Sequence, residues 1–101
     1  MNATLGKRKH SANLRTSRRL QKVAVWIYSR TTPTSGPTTL EAIQWTGVAN
    51  MTAAISELRD NGIAVESINA GKNGDGMVVY RYRIESLPVW LHELSYERSR
   101  R

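Results

Sequence analysis

Apolar positions recur at helical spacing in three successive segments of the first half of the chain. The first predicted helix covers residues 17–30, with Ser17 as its N-cap. Its apolar face consists of Leu20, Val23, Ala24 and Ile27. The loop TTPTSGPTT then breaks this helix, because it contains prolines and a glycine. The next segment, TTLEAIQWTG, predicts a helix of about two turns that Gly47 ends and that Thr38 or Thr39 caps.

The third predicted helix follows a short turn that contains Gly47. Ala49 or Asn50 is its predicted N-cap, and the pair Asn61-Gly62 ends it. Its apolar stripe consists of Met51, Ile55 and Leu58. We therefore expect the second and third helices to form a helix-turn-helix pair that packs on the first helix.

Two strands are predicted after the third helix. The segments IAVESINA and MVVYRYRIE alternate between apolar and polar positions, and the glycine-rich loop GKNGDG joins them. One face of the second strand carries Val78, Tyr80, Tyr82 and Ile84. The opposite face carries Val79, Arg81 and Arg83. We expect a hairpin with one buried face and one partly basic face, and for the two tyrosines core packing is favoured over base stacking.

The C-terminal segment SLPVWLHELSYE predicts a short amphipathic helix with Ser86 as its N-cap. Its apolar side chains are Leu87, Leu91 and Leu94, with Trp90 beside them. These four side chains either cover the core of their own domain or contact a second copy of the chain. A homodimer is favoured, since many helix-turn-helix proteins bind DNA as dimers.

Together these elements predict an α+β fold, a winged helix-turn-helix composed of a three-helix bundle and a β-hairpin wing, followed by a short C-terminal helix. The predicted organisation is a flexible basic N-terminal arm at residues 1–16 and a winged domain at residues 17–85. A C-terminal helix and basic tail follow at residues 86–101.

Positive charge is concentrated at the two ends of the chain, whose net charge is +7. Residues 1–22 contain seven Lys and Arg and no acidic residue, whereas residues 23–97 contain five basic and eight acidic residues. Residues 98–101 add three arginines. This excess favours a polyanionic partner. The basic N-terminal run is either a nucleic-acid arm or a solubilising tail.

Several function classes receive little support from the sequence. The chain has no cysteine and no apolar run of the roughly 20 residues that a membrane-spanning helix needs. His10 and His92 have no partners for catalysis, and GKNGDG lacks the Gly-Lys-Ser/Thr ending of a phosphate loop. We therefore expect neither an enzyme nor a metal, cofactor, small-molecule or membrane site. The expected location is the cytoplasm.

Three stretches of the chain, SRRLQKVAVWIYS, TTLEAIQWTGVANMTAAISELRDNGIAVES and VVYRYRI, resemble the small winged helix-turn-helix domains common in phage and prophage proteins. The most specific parts are AISELRDNGIAVES and VYRYRI, and the resemblance covers residues 17–84. It implies a DNA-binding module of phage-associated origin with a regulatory or accessory role, located in the cytoplasm of a bacterial host cell. The segment LPVWLHELSYERSRR lies outside the resemblance.

Base reading is expected on the exposed side of the third helix, at Ala49, Asn50, Thr52, Ala53 and Ser56. For Asn50, N-capping is favoured over a bidentate contact with adenine. Phosphates are expected to contact the basic residues of the arm, the first helix and the hairpin. These residues are Lys7, Arg8, Lys9, Arg18, Arg19, Lys22, Lys72, Arg81 and Arg83. For Lys72, Arg81 and Arg83 a second interpretation is equally supported: they form a solvated strand face that discourages edge-to-edge pairing of sheets.

The sequence therefore predicts a protein that binds double-stranded DNA in a sequence-specific manner, as a transcriptional regulator or a recombination accessory factor. The third helix would enter the major groove, and the wing and the basic arm would contact phosphates. The rival prediction is a protein-interaction module, a phage-encoded inhibitor or adaptor whose leucine-rich C-terminal helix binds a host protein.

Overall fold

The computed structural model describes the backbone of residues 11–99 and the side chains of residues 11–94. This part of the chain forms four helices and a two-stranded antiparallel sheet, so the predicted α+β class is confirmed. The elements are α1 (Arg18–Arg30), α2 (Thr39–Thr46), α3 (Met51–Asp60), β1 (Val65–Lys72), β2 (Val78–Ile84) and α4 (Val89–Ser99). None of the helices in the described part is long and apolar enough to cross a membrane.

Polar side chains cap the first three helices where the sequence indicated. The Ser17 hydroxyl accepts a hydrogen bond from the backbone N–H of Leu20 at the start of α1. Thr38, one of the two candidate caps of α2, forms a reciprocal capping box with Glu41. Gly47 ends α2 at φ 76°, a left-handed conformation that glycine adopts without steric cost. These caps fix the entry and exit angles of the α2–α3 pair.

The core lies where α1, α2 and α3 meet the inner end of the hairpin and the start of α4. Helices α1 and α3 contribute their predicted apolar faces, and α2 contributes Ala42, because burying apolar side chains removes them from water. The largest fully buried side chains are Leu20, Val23, Ile27, Met51, Leu58, Ile84 and Leu91. Two polar residues, Gln21 and Thr46, are also buried, and both make hydrogen bonds to backbone carbonyls. The apolar faces predicted for α1 and α3 are therefore confirmed.

Only the inner half of the hairpin packs on the helices. Val65 pairs with Ile84 at the base of the sheet, and Tyr82 is buried beside them. Further out, Val78 and Tyr80 are 45% and 44% exposed, so the prediction that they share the buried face is wrong. The hairpin extends beyond the helical layer, and its alternating pattern continues where no helix covers it.

A bulge interrupts the sheet between Asn69 and Lys72. Gly71 lies at this irregularity with φ 91°. The Gly71 backbone N–H donates a hydrogen bond to the Asn69 side-chain oxygen. The sheet resumes at the pair Lys72 and Val78. Lys72 therefore ends β1 rather than standing in the connecting turn.

The loop between α1 and α2 lies against the free edge of β2. The Tyr82 N–H donates to the Pro37 carbonyl at 2.9 Å, and Thr38 forms an isolated antiparallel bridge with Arg81. A Cβ at Gly36 would lie 1.9 Å from the Tyr82 carbonyl oxygen, so only glycine fits there. This contact covers an edge of the sheet that the sequence pattern leaves open.

The segment before α1 belongs to the packed domain. Leu14 is buried, and its N–H donates to the Asn61 side-chain oxygen at the end of α3. The Asn61 amide in turn donates to the Ala12 carbonyl at 2.8 Å. The described domain therefore includes residues 11–16, which were expected to be part of a flexible arm. Residues 1–10 lie outside the described part.

The C-terminal helix begins later than predicted. Helix α4 starts at Val89, and the Pro88 carbonyl accepts hydrogen bonds in its first turn, so Ser86 is not its cap. Leu87 and Leu91 are buried in the core of their own domain. Of the expected dimer contacts, Trp90 and Leu94 are partly buried against the same core. The alternative that these side chains cover their own domain is the one observed.

Two aromatic contacts hold α4 in place. The Arg15 guanidinium lies 4.6 Å from the centroid of the Trp90 ring, a cation–π arrangement. The His92 ring meets the Tyr28 ring edge-on at 5.0 Å. The first contact joins α4 to the segment before α1, and the second joins α4 to α1.

Candidate nucleic-acid interface

The first turn of α3 is open to solvent on one side. Ala49, Asn50 and Thr52 are exposed, whereas Met51 is turned into the core. The other two predicted reading residues, Ala53 and Ser56, are half-buried. The accessible part of the predicted reading surface is therefore shorter than expected and is concentrated at the N-terminus of the helix.

Asn50 caps α3, as favoured from the sequence. Its side-chain oxygen accepts a hydrogen bond from the Ala53 N–H at 3.1 Å. A bidentate contact with adenine needs both the oxygen and the amide of an asparagine. Because one lone pair of the oxygen already serves the cap, the group that Asn50 can most readily offer to a ligand is its exposed side-chain NH2, which has two N–H donors.

A groove of about 1070 Å³ lies between α1 and the turn that joins α2 to α3. Its lining contains three cations from α1 and no acidic residue among the described side chains. The N-terminus of α3 opens onto the same groove and adds its partial positive charge. The lining residues are Arg18, Arg19, Lys22, Val25, Trp26, Ser29, Thr46, Gly47, Val48, Ala49 and Asn50. The fold thus brings the predicted α1 cations beside the predicted reading residues.

The three α1 cations that line this groove differ in how many contacts they make within the chain. Arg19 forms a salt bridge with Glu57 of α3. The Lys22 ammonium donates to the Thr46 carbonyl at 3.2 Å. Arg18 is exposed, and among the described residues it has no hydrogen-bond or ion-pair partner. Arg18 and Lys22 therefore remain available to an anion, and Arg19 neutralises an acidic residue that would repel one.

The arginines of β2 do not form a free basic face. Arg83 donates to the Thr32 carbonyl at 2.8 Å and pairs with Glu66 and Glu85 at 3.2 and 3.3 Å, which leaves its side chain 15% exposed. Arg81 donates to the Gly36 carbonyl at 2.9 Å and is half-buried. The alternative of a solvated surface is therefore wrong for Arg83, and its contact with phosphate stays a prediction. Its charge is satisfied within the chain.

Two other basic residues lie on α3 and β1. Arg59 donates twice to the Val65 carbonyl and once to the Ser67 hydroxyl, so it ties α3 to β1. Lys72 is exposed at the outer end of the hairpin. The predicted arm residues lie outside the described part of the chain; they are Lys7, Arg8 and Lys9.

The sequence pattern did not indicate the exposure of the tryptophans. Trp45 is 68% exposed, and Trp26 is partly buried against the core. Leu40, on the same helix as Trp45, is also 68% exposed. The only available signal was the shortness of α2, which has one face for the core and cannot bury every apolar side chain.

Within residues 11–99, no group of three or more His, Asp or Glu side chains is placed to hold a metal ion. Comparison of the chain with protein-family models, with curated proteins and with solved structures finds no match. The resemblance to winged helix-turn-helix domains of phage proteins therefore stays a prediction, and the function must be inferred from the residues themselves.

Proposed function

We propose that this chain is a winged helix-turn-helix protein that binds double-stranded DNA with the N-terminal turn of α3. The observation that supports this most is the placement of the α1 cations beside the exposed first turn of α3, around a groove without acidic side chains among its described lining. Phosphate contacts fix the register of a protein on a duplex, and side chains at an adjacent helix end read base edges.

In this proposal Thr52 and Asn50 contact base edges in the major groove, and the small side chain of Ala49 allows close approach. Arg18 and Lys22 contact the phosphates of the neighbouring backbone. The hairpin is the wing, and Lys72 near its tip contacts a second stretch of backbone. A regulatory or recombination accessory role is compatible with such binding.

The rival function, a protein-interaction module built on the C-terminal helix, loses support from the burial of Leu87 and Leu91. An apolar interface needs side chains that can leave water when the partner binds. In the described part of that helix, Val89 is the strongly exposed apolar residue, at 72%. A single apolar side chain is an ordinary surface feature.

Selection from a pool of random duplexes tests the proposal. We expect the protein to enrich a common sequence and the variant Thr52→Ala to lose discrimination at one position of it, by about 1 kcal/mol for a single hydrogen bond. Ser86→Ala is the control, because Ser86 is exposed in the connection before α4 and outside the proposed surface. Failure of the wild-type chain to enrich any duplex would contradict the proposal.

A further inference from the structure

A second groove, of about 440 Å³, lies on the other side of Trp26, between α1, α2 and the loop that borders β2. Two indole rings and two guanidinium groups line it. The lining residues are Trp26, Arg30, Gly36, Pro37, Glu41, Trp45 and Arg81. The proposed duplex contacts on α3 are not part of this lining, so the groove needs its own explanation.

Trp45 gives this groove an open aromatic surface. Its side chain is 68% exposed although α2 has a buried face that ends at Thr46. None of the aromatic contacts found between described residues involves Trp45. The indole is therefore free to stack on a flat ligand, and an indole has the largest face that a side chain can offer for this purpose.

The charge around the groove is positive. Arg18, Lys22, Trp26 and Arg30 follow one another at intervals of four residues and so form a single row along α1. The Arg30 guanidinium lies over the Trp26 ring, 5.5 Å from its centroid. Glu41 is the acidic residue of the lining, and its carboxylate already accepts a hydrogen bond from the Thr38 N–H in the capping box.

A ligand that complements this surface must present regularly spaced negative charges and flat rings whose faces are accessible. Single-stranded nucleic acid has both properties, and proteins bind it by combining basic tracks with aromatic stacking platforms. Within a duplex the base faces are covered by neighbouring bases. An acidic peptide has the charge but few flat rings.

We propose that the row on α1 and the groove beside it bind single-stranded nucleic acid, with one base stacked on Trp45 and the backbone following Arg30, Lys22 and Arg18. This site is additional to the duplex contact proposed for α3. The two sites share Arg18 and Lys22, whereas Trp45 belongs to the single-strand site alone. A Trp45 variant therefore tests this site without testing duplex binding.

Fluorescence anisotropy of labelled oligothymidylate and oligouridylate, each of about 12 nucleotides, measures the binding directly. The full-length chain is compared with Trp45→Ala and with the matched control Leu40→Ala. Leu40 has the same 68% exposure on the same helix but does not line the groove. Because both side chains are exposed, we expect both variants to fold.

We expect Trp45→Ala to weaken binding of both oligonucleotides between about 5-fold and 150-fold, the range for loss of one stacked base. Leu40→Ala should bind as the wild type does. Equal affinities of wild type and Trp45→Ala would overturn the proposal. It would also be overturned if poly-L-glutamate bound more tightly than the oligonucleotides and lost affinity in Trp45→Ala, because the site would then be one for acidic peptides.

The duplex proposal can fail independently of this one. If Trp45→Ala weakens single-strand binding and no duplex is enriched in the selection, the α1 row is a single-strand site and the α3 proposal is wrong. If a duplex is enriched and the oligonucleotides bind equally to wild type and Trp45→Ala, the stacking site is wrong and the α3 proposal stands.

Discussion

Helix α1 and strand β2 both place basic side chains away from the core, but the two regions use them differently. On α1, Arg18 has no partner among the described residues, and Lys22 makes a single bond to a backbone carbonyl. On β2, Arg83 is held by a carbonyl and two carboxylates, and Arg81 by a carbonyl. The arginines of β2 stabilise the fold, whereas those cations of α1 are available to a ligand.

The loop between α1 and α2 explains this difference. It runs along the free edge of β2, where the carbonyls of Thr32 and Gly36 accept hydrogen bonds from the two strand arginines. Among the described residues, no loop covers the outer row of α1 at Arg18 in this way. A periodic pattern therefore predicts which side of an element a residue occupies, but the loop decides whether that side faces solvent.

Gly36→Ala should have the largest effect on stability, because it disrupts the packing of the α1–α2 loop against β2, where the loop carbonyls bind Arg81 and Arg83. The added Cβ would meet the Tyr82 carbonyl at 1.9 Å, and relief requires backbone movement. We expect a loss of about 3 kcal/mol in the free energy of unfolding, measured by urea denaturation. The control Gly74→Ala has open space around the new Cβ and should change stability by about 0.5 kcal/mol or less. Equal stabilities of the two variants would show that the loop does not bind β2 this closely.

Arg83→Met should have an intermediate effect. The methionine keeps an apolar stem but removes the donor to Thr32 and the partner of Glu66, so we expect a loss of about 1–2 kcal/mol in the free energy of unfolding. The matched change Arg18→Met should leave stability within about 0.5 kcal/mol of the wild type, since Arg18 is exposed and unpartnered within the described chain. Similar losses of stability in Arg83→Met and Arg18→Met would contradict the distinction between the β2 arginines and the α1 cations.

Local signals in the sequence predicted much of the fold. Helix faces, the caps Ser17 and Asn50 and the hairpin follow from side-chain periodicity and from hydrogen-bonding groups that act within a few residues. The exposure of Tyr80 could not be predicted in this way, because its strand alternates regularly beyond the end of the helical layer. The start of α4 was also misjudged, since Leu87 enters the core before the helix begins.

The candidate site was predicted in part. The cations of α1 and the exposed positions of α3 were identified from the sequence, but their position around one groove depends on how the α2–α3 turn packs against α1. The open groove beside Trp45 depends on the path of the α1–α2 loop, which local periodicity does not determine. Periodicity describes residues that are close in sequence, so it does not predict how distant segments of the chain pack together.

The salt dependence of duplex binding tests the central claim most directly. Affinity for a selected duplex should be measured between about 50 and 200 mM salt for the wild type and for a variant that combines Arg18→Gln with Lys22→Gln. Loss of two phosphate contacts should make the slope of log K against log salt shallower by about 1.8, while the free energy of unfolding changes by no more than about 0.5 kcal/mol. An unchanged slope, with the variant still folded, would contradict the account that these two α1 cations hold the DNA backbone beside α3.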